Sequence, residues 1–331
     1  MSLWLIGAGP MALQYANILT AMGRPFEVVG RSEESAARFE ASTGIPVRRG
    51  GITTALAGSG PPDQAIVAVG IDQLALTTSA LVVGGTSRVL VEKPGGVDSA
   101  EIRALGRTVE EVGAEVSVAY NRRYYSSVAA MRKMIERDGG INSCVFEITE
   151  YSDTVIALDM PSTVKESWFL ANTSHVVDLV ISLCGLPDSL SSQTVGTLSW
   201  HPAAAQFVGS GLTDRGIPFS YHGDWEAPGR WGVEFCTGMR RYVLRPLEEL
   251  HKVDRESTTV ERVEIDDRLD REFKPGVYLQ TLAFLEDDGT LACTLADHVR
   301  NCDIYDQIAG YSEGRAASTV DGGHHPSGRL Q

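Results

Sequence analysis

Leu3-Trp4-Leu5-Ile6-Gly7-Ala8-Gly9-Pro10-Met11-Ala12 carries an apolar run of strand length into a glycine pair and then into a helical pattern. This is the G-x-G-x-x-A form of a dinucleotide-binding turn. Gly7 permits the tight turn, and Gly9 lets the backbone approach a pyrophosphate. Ala12 is small enough for close helix–strand packing. Pro10 and Met11 begin the helix whose N-terminus faces the anion. An ordinary strand–turn–helix is the competing reading, since glycine-rich turns are common.

Working outward, strands and helices alternate to about residue 120. The first helix reads over 10–22 and stops at Gly23 and Pro25. A strand over 26–29 follows, and Ser32 is placed to cap a helix ending at Gly44. Residues 57–62 (Ala-Gly-Ser-Gly-Pro-Pro) read as a loop. Apolar strands read over 65–69 and 88–91. Asp98 to Glu101 has the form of a capping box, and Ile102, Leu105, Val109 and Val112 keep helical spacing to Gly113. Short β/α alternation predicts a parallel sheet covered on both faces.

Past Tyr120 the texture changes. A helix over 125–135 leads into runs with polar alternation over 144–151, 217–222, 232–236, 241–245 and 260–265. These predict antiparallel strands of one large sheet with a solvated face. One helix interrupts them over 173–184. Two more, over 276–285 and 291–308, are expected to pack back on the first domain. The fold class is therefore an α/β dinucleotide-binding domain over 1–120 and an α+β domain over 121–310 with a large open, mostly antiparallel sheet. A tail over 311–331, rich in small and polar residues from Gly314, is expected to be poorly ordered.

The chain has 331 residues, 43% of them hydrophobic, which is enough for two domains. Its net charge of −14 argues against nucleic acid or an anionic membrane as the main partner. No apolar run reaches the roughly 20 residues that span a bilayer, and no signal peptide is read at the N-terminus. The five cysteines are scattered and form no C-x-x-C. Reduced thiols in a cytoplasmic protein are expected, with no metal site.

An NAD-specific fold places an acidic residue after the second strand, about 20 residues past the glycines. Here Gly30 takes that position, followed by Arg31 and Ser32, with Arg38 about two turns on. A guanidinium and a hydroxyl suit a 2′-phosphate, which favours NADP(H) over NAD(H). A solvated Arg31 and a merely capping Ser32 are the plain alternative. Glu92-Lys93-Pro94 lies just past an apolar strand, at the sheet edge where such folds bind ligands. Pro94 stiffens that turn. A lysine there can bond a substrate hydroxyl and share its proton. Asn172 and His175 lie three apart at a helix start and share a face. Thr173 or Ser174 can cap that helix, and its dipole would favour a neutral His175. Arg122, Arg123, Tyr124 and Tyr125 suit a phosphorylated or nucleotide-linked sugar, or else an interdomain salt bridge and core. The aromatic run 225–232 reads as packing or a subunit interface, and Asp178 as a local structural residue.

Taken together, the opening turn, Glu92-Lys93-Pro94, the run Ala119 to Tyr124 and His175-Val176-Val177-Asp178 resemble the signature series of the Gfo/Idh/MocA oxidoreductases over roughly residues 1–310. The resemblance implies NAD(P)-dependent redox chemistry on sugars or related polyols, with Lys93 catalytic and His175 binding substrate or relaying a proton. It implies cofactor contacts at Gly7, Gly9, Pro10, Met11, Arg31, Ser32, Arg38, Val69, Gly70, Glu92, Lys93 and Asn121, and substrate contacts at Arg122, Tyr124 and Asn172. It also implies homodimers or homotetramers through the second sheet. The chain departs from the series at Ala171, where many members carry an aspartate, and at Val69-Gly70-Ile71-Asp72, where the family's Thr-Pro-Asn is missing. Asn172 beside the gap can bond a sugar hydroxyl but cannot take a proton. A ketosugar reductase or sugar dehydrogenase is the leading expectation. A non-catalytic cofactor-binding regulator is the alternative, and a redox-neutral enzyme that retains its cofactor is a third.

Overall fold

In the computed structural model, which describes residues 1–311, the apolar runs build one sheet. Its strands are β1 (Leu3–Ile6), β2 (Glu27–Val29), β3 (Val47–Arg48), β4 (Gln64–Val67), β5 (Arg88–Val91) and β6 (Glu115–Val118). They pair in parallel in the order β6-β5-β4-β1-β2-β3. Connecting them are α1 (Pro10–Ala21), α2 (Glu33–Thr43), α3 (Gly51–Ser59), α4 (Ile71–Val83) and α5 (Ser99–Val112). β1 and β4 are buried at every position, as strands covered on both faces must be. The strand order reverses between β1 and β4, and in open α/β sheets that switch point holds the ligand.

Local chemistry sets these boundaries. The Ser32 hydroxyl accepts from the Ser35 amide at the start of α2, and Gly44 ends it at φ +70°. Asp98 accepts from the Glu101 amide, while the Glu101 carboxylate reaches back to the Val97 amide. The expected loop over 57–62 begins later than its composition implies, because Ala57 to Ser59 are the last turn of α3. The helix ends only at Gly60, whose φ of +73° favours glycine.

The second half begins with a 3₁₀ turn (Asn121–Tyr124) and α6 (Ser126–Arg137). β7 (Ser143–Glu147), α7 (Ser152–Ala157) and α8 (Ser162–Glu166) follow. A π-helical turn (Phe169–Thr173) then runs straight into α9 (Ser174–Cys184). Seven strands complete the second sheet: β8 (Pro187–Val195), β9 (Gln206–Thr213), β10 (Pro218–Asp224), β11 (Gly232–Cys236), β12 (Arg240–Leu244), β13 (His251–Asp254) and β14 (Glu261–Arg262). Its order is β14-β13-β12-β11-β7-β10-β9-β8. β7 and β10 pair in parallel and the other neighbours are antiparallel. The expected fold class is the one observed. β3, β6, β8, β9, β13, α3, α4, α7 and α8 are not legible as elements in the sequence, and the strand read over 144–151 ends at Glu147.

The chain then returns to the first sheet through α10 (Arg268–Glu272), α11 (Val277–Glu286), β15 (Cys293–Thr294) and α12 (Leu295–Ala309). The helix read over 291–308 is broken, because Cys293 and Thr294 pair antiparallel with Val118 and Ser117 of β6. α12 is fastened to α5 by Arg103–Asp303 at 2.5 Å and Ser99–Asp306 at 2.7 Å. The tail read from Gly314 lies outside the described residues.

Candidate active site

The switch-point crevice is shaped for a dinucleotide. Gly7 holds φ +124°, and a Cβ there would stand 2.2 Å from the Ala68 carbonyl oxygen of the neighbouring strand end. A larger residue would therefore have to push β1 and β4 apart. Gly9 has nothing within 4 Å of its would-be Cβ. α1 carries no side-chain cap, so the first-turn amides after Pro10, from Met11 and Ala12, face an open approach. These features fit a pyrophosphate.

Beyond β2, Gly30 is required by packing, since a Cβ there would come within 2.8 Å of Val47 Cγ1. The position that would carry an acidic side chain thus has no room for one. Arg31 is exposed and donates to Gln73 on α4 at 3.1 Å, while Ser32 caps α2. Arg38 is less available than its position implies, because it pairs with Glu34 at 2.9 Å along α2. Val69 and Gly70 lie between β4 and α4, where Gly70 is the N-cap.

Glu92-Lys93-Pro94 follows β5. Glu92 accepts from the Tyr15 hydroxyl of α1 at 2.6 Å, and burial pushes its carboxyl up despite that bond. His298 of α12 bonds the Pro94 carbonyl at 2.8 Å, so both neighbours of Lys93 are pinned. Lys93 Nζ donates to the Ala171 carbonyl at 2.5 Å. The Lys93 pKa is lowered to about 8: loss of hydration is the largest cause, Glu92 opposes it, and the Arg122 and Lys274 charges add to the lowering.

His175 sits opposite on α9 and is buried. Its Nε2 lies 3.0 Å from Arg122 Nη1, which also donates to Asn121 Oδ1 at 2.7 Å. A guanidinium only donates, so Nε2 is the acceptor and Nδ1 carries the proton. The expected cap and dipole are not the cause of its neutrality. Neither Thr173 nor Ser174 caps α9, because the π-helical turn continues the helix backwards. The Thr173 hydroxyl donates to Glu150 and the Ser174 hydroxyl to the Leu170 carbonyl. Burial holds the His175 pKa well below its usual value, and Arg122, Lys93, Lys274 and Arg230 add to the effect.

The other expected residues divide. Asn121 is at the site, but its amide donates to the Pro275 carbonyl at 2.8 Å and its oxygen holds Arg122, so its side chain is a brace. Tyr124 points elsewhere. It lines a cavity with Arg88, Glu115 and Phe284 whose walls include none of Lys93, Arg122 and His175. Arg123 and Asp178 form a buried salt bridge between the turn after β6 and α9, within residues 121–310 and not between the two domains, with bonds of 2.8 and 2.7 Å.

Sequence reading missed Glu150. It is buried and accepts from Asn172 at 3.0 Å, Thr173 at 2.7 Å and Arg230 at 2.6 Å. A carboxylate thus stands beside the vacated aspartate position, supplied from the far end of β7. A signal existed: Cys144, Phe146, Ile148 and Glu150 alternate on the buried face, and a charge in that row must have partners. Arg230 packs 4.0 Å over the Trp231 ring, and Trp231 faces His175 at 6.1 Å. Lys274, after α10, had no sequence signal. Among the described residues no group of three or more His, Cys, Asp or Glu side chains could hold a metal.

Fold and site together define a two-domain architecture with a dinucleotide-type glycine turn at the switch point of its first sheet. No family model matches the chain, and no curated protein matches it in sequence. Solved structures do match in shape. UDP-N-acetylglucosamine 3-dehydrogenase GnnA from Acidithiobacillus ferrooxidans has a TM-score of 0.72 at 16% identity, covering 93% of this chain and 96% of that one. The WlbA dehydrogenase from Bordetella pertussis, in complex with NADH and UDP-GlcNAcA, has a TM-score of 0.70 at 16% identity, covering 94% and 95%. Levoglucosan dehydrogenase, in complex with NADH and levoglucosan, has a TM-score of 0.73 at 17% identity, covering 94% and 97%. These neighbours are NAD-binding oxidoreductases of the Gfo/Idh/MocA type, and the chain shares their fold over nearly its whole described length.

Proposed function

We propose that the protein is an NADP(H)-dependent oxidoreductase acting on a hydroxyl or ketone of a sugar or sugar derivative. One observation carries this reading: Lys93 is held at the end of β5 beside the switch-point crevice, its Nζ on the Ala171 carbonyl, where burial pulls its pKa down to about 8 so that it can exchange a proton near neutrality. The same-fold neighbours solved with NADH and a sugar support the class. A bound nicotinamide would supply or take the hydride. Lys93 handles the proton: its neutral amine takes it from a hydroxyl during oxidation, and its ammonium returns it to a carbonyl oxygen during reduction. The Ala171 carbonyl holds one N–H of Lys93, leaving the others for substrate. His175 is committed as an acceptor to Arg122, so it positions that arginine, and Lys93 is the proton carrier. Glu150 takes the Asn172 amide nitrogen, which turns the Asn172 oxygen away to accept from a substrate hydroxyl. We place self-association on the open face of the second sheet, where Val145, Val195, Val208 and Leu212 are exposed. The mass in solution reads this directly.

The test is reduction of NADP⁺ or NAD⁺ by a panel of sugars, and the reverse reaction with ketosugars. The pH dependence is signed. Oxidation needs the neutral amine, so its rate should rise through about pH 8 and level above it. Reduction should fall over the same range. A flat profile across that range would remove Lys93 as the proton carrier. Turnover with no sugar, despite tight cofactor binding, would favour the non-catalytic regulator.

The NADP(H) preference rests on Gly30, Arg31 and Ser32. Arg31→Ala should weaken NADPH about tenfold or more while leaving NADH within about twofold. Equal weakening of both cofactors would mean that Arg31 does not read the 2′-phosphate.

A further inference from the structure

The site is electrostatically out of keeping with the chain. The protein carries a net charge of −14, yet Lys93, Arg122, Lys274 and Arg230 all act on the one imidazole of His175. Two carboxylates share the region and both are engaged, Glu92 by Tyr15 and Glu150 by Asn172, Thr173 and Arg230. Among the described residues, Lys93, Arg122 and Lys274 form no ion pair. Arg122, in the turn after β6, and Arg230, just before β11, lie over the same indole, 5.4 and 4.0 Å from the Trp231 centroid. The buried polar atoms left without a partner here are Arg122 Nε, Trp231 Nε1 and His175 Nδ1. With His175 Nε2 accepting from Arg122, all three are donors. The cluster has an excess of positive charge and of N–H groups, and it lacks acceptors. A neutral sugar's oxygens can accept from these N–H groups, but they carry no charge to balance the positive excess. An anionic, acceptor-only group supplies both.

We infer that the substrate is an anionic sugar whose carboxylate or phosphate is held by Arg122 and Arg230 beside Trp231. This rests on the reading that the site takes a sugar, and it narrows the substrate class. Planar guanidinium forks match both oxyanions, so a sugar acid and a sugar phosphate share the chemistry.

Calorimetric titration of the intact protein, with and without saturating NADPH, would use D-glucose, D-glucuronate and D-glucose 6-phosphate. One charged sugar should bind at least tenfold tighter than D-glucose, and which one does so identifies the oxyanion. Arg122→Gln should erase that advantage and Arg122→Lys should keep part of it. Arg122 pairs with no carboxylate, so its loss strands no buried charge. Arg268→Gln, at an exposed pair with Asp266, is the control that should change nothing. Three results overturn the inference: equal binding of neutral and charged sugars, a charged advantage unaffected in Arg122→Gln, or no binding by either charged sugar. Arg122-dependent binding of a charged sugar by a protein that takes no nicotinamide would instead sink the oxidoreductase reading and leave this one standing.

Discussion

Lys93→Ala should lower turnover by about 10²–10⁴-fold while leaving nicotinamide affinity nearly unchanged, because general acid–base catalysis contributes rate and not binding. The side chain is held from three sides. Tyr15 fixes Glu92, His298 fixes the Pro94 carbonyl, and the Ala171 carbonyl takes the ammonium. No neighbouring group is ready to replace it. His175 has its acceptor nitrogen on Arg122 and a pKa driven far down by burial. Glu150 is surrounded by Asn172, Thr173 and Arg230. Steady-state kinetics beside a cofactor titration separates the two effects. Near-normal turnover in Lys93→Ala would refute the assignment, and an equal loss in cofactor affinity would make Lys93 a binding residue.

Asp178→Ala should be the most destabilising single change near the site, at about 3–5 kcal/mol. Asp178 has no exposed side-chain surface, and Arg123 has 10%. The pair joins the turn after β6 to α9, and Arg123 also donates to the Leu291 and Ala292 carbonyls. Removing the carboxylate leaves a buried guanidinium that cannot shed its proton. The reverse change, Arg123→Met, should cost less, because burial already raises the Asp178 pKa and the acid can protonate. The pair is therefore asymmetric, and thermal melts of the two variants read the asymmetry. Equal losses would show that packing and not charge dominates there.

The first domain was legible because its chemistry is local. A parallel strand buried on both faces is a continuous apolar run, and the glycines that end α2, α3 and α5 need positive φ. β8 and β9 were hidden by their composition. Gly209 and Gly211 lie where a Cβ would strike Tyr221, Phe219 and the backbone of β8, so the strand is written in glycine and serine. α4 was obscured by Thr77, Thr78, Val82 and Val83, weak helix formers that packing overrides. Lys93 and His175 could be singled out in the sequence because they lie beside recognisable elements. The π-helical turn before α9 leaves no composition signal, and it removed both the expected cap and the expected dipole. Arg230, Lys274 and Glu150 come from separate segments, and only the tertiary fold brings their charges to bear on His175.

The most direct test of the central claim is a fluorescence titration of the purified protein with NADPH and NADH, after checking for retained cofactor. Saturable binding of both, with NADPH tighter, is the predicted result. No binding of either would mean that the Gly7-Ala8-Gly9 turn is purely structural, and it would contradict the proposed activity at its first step.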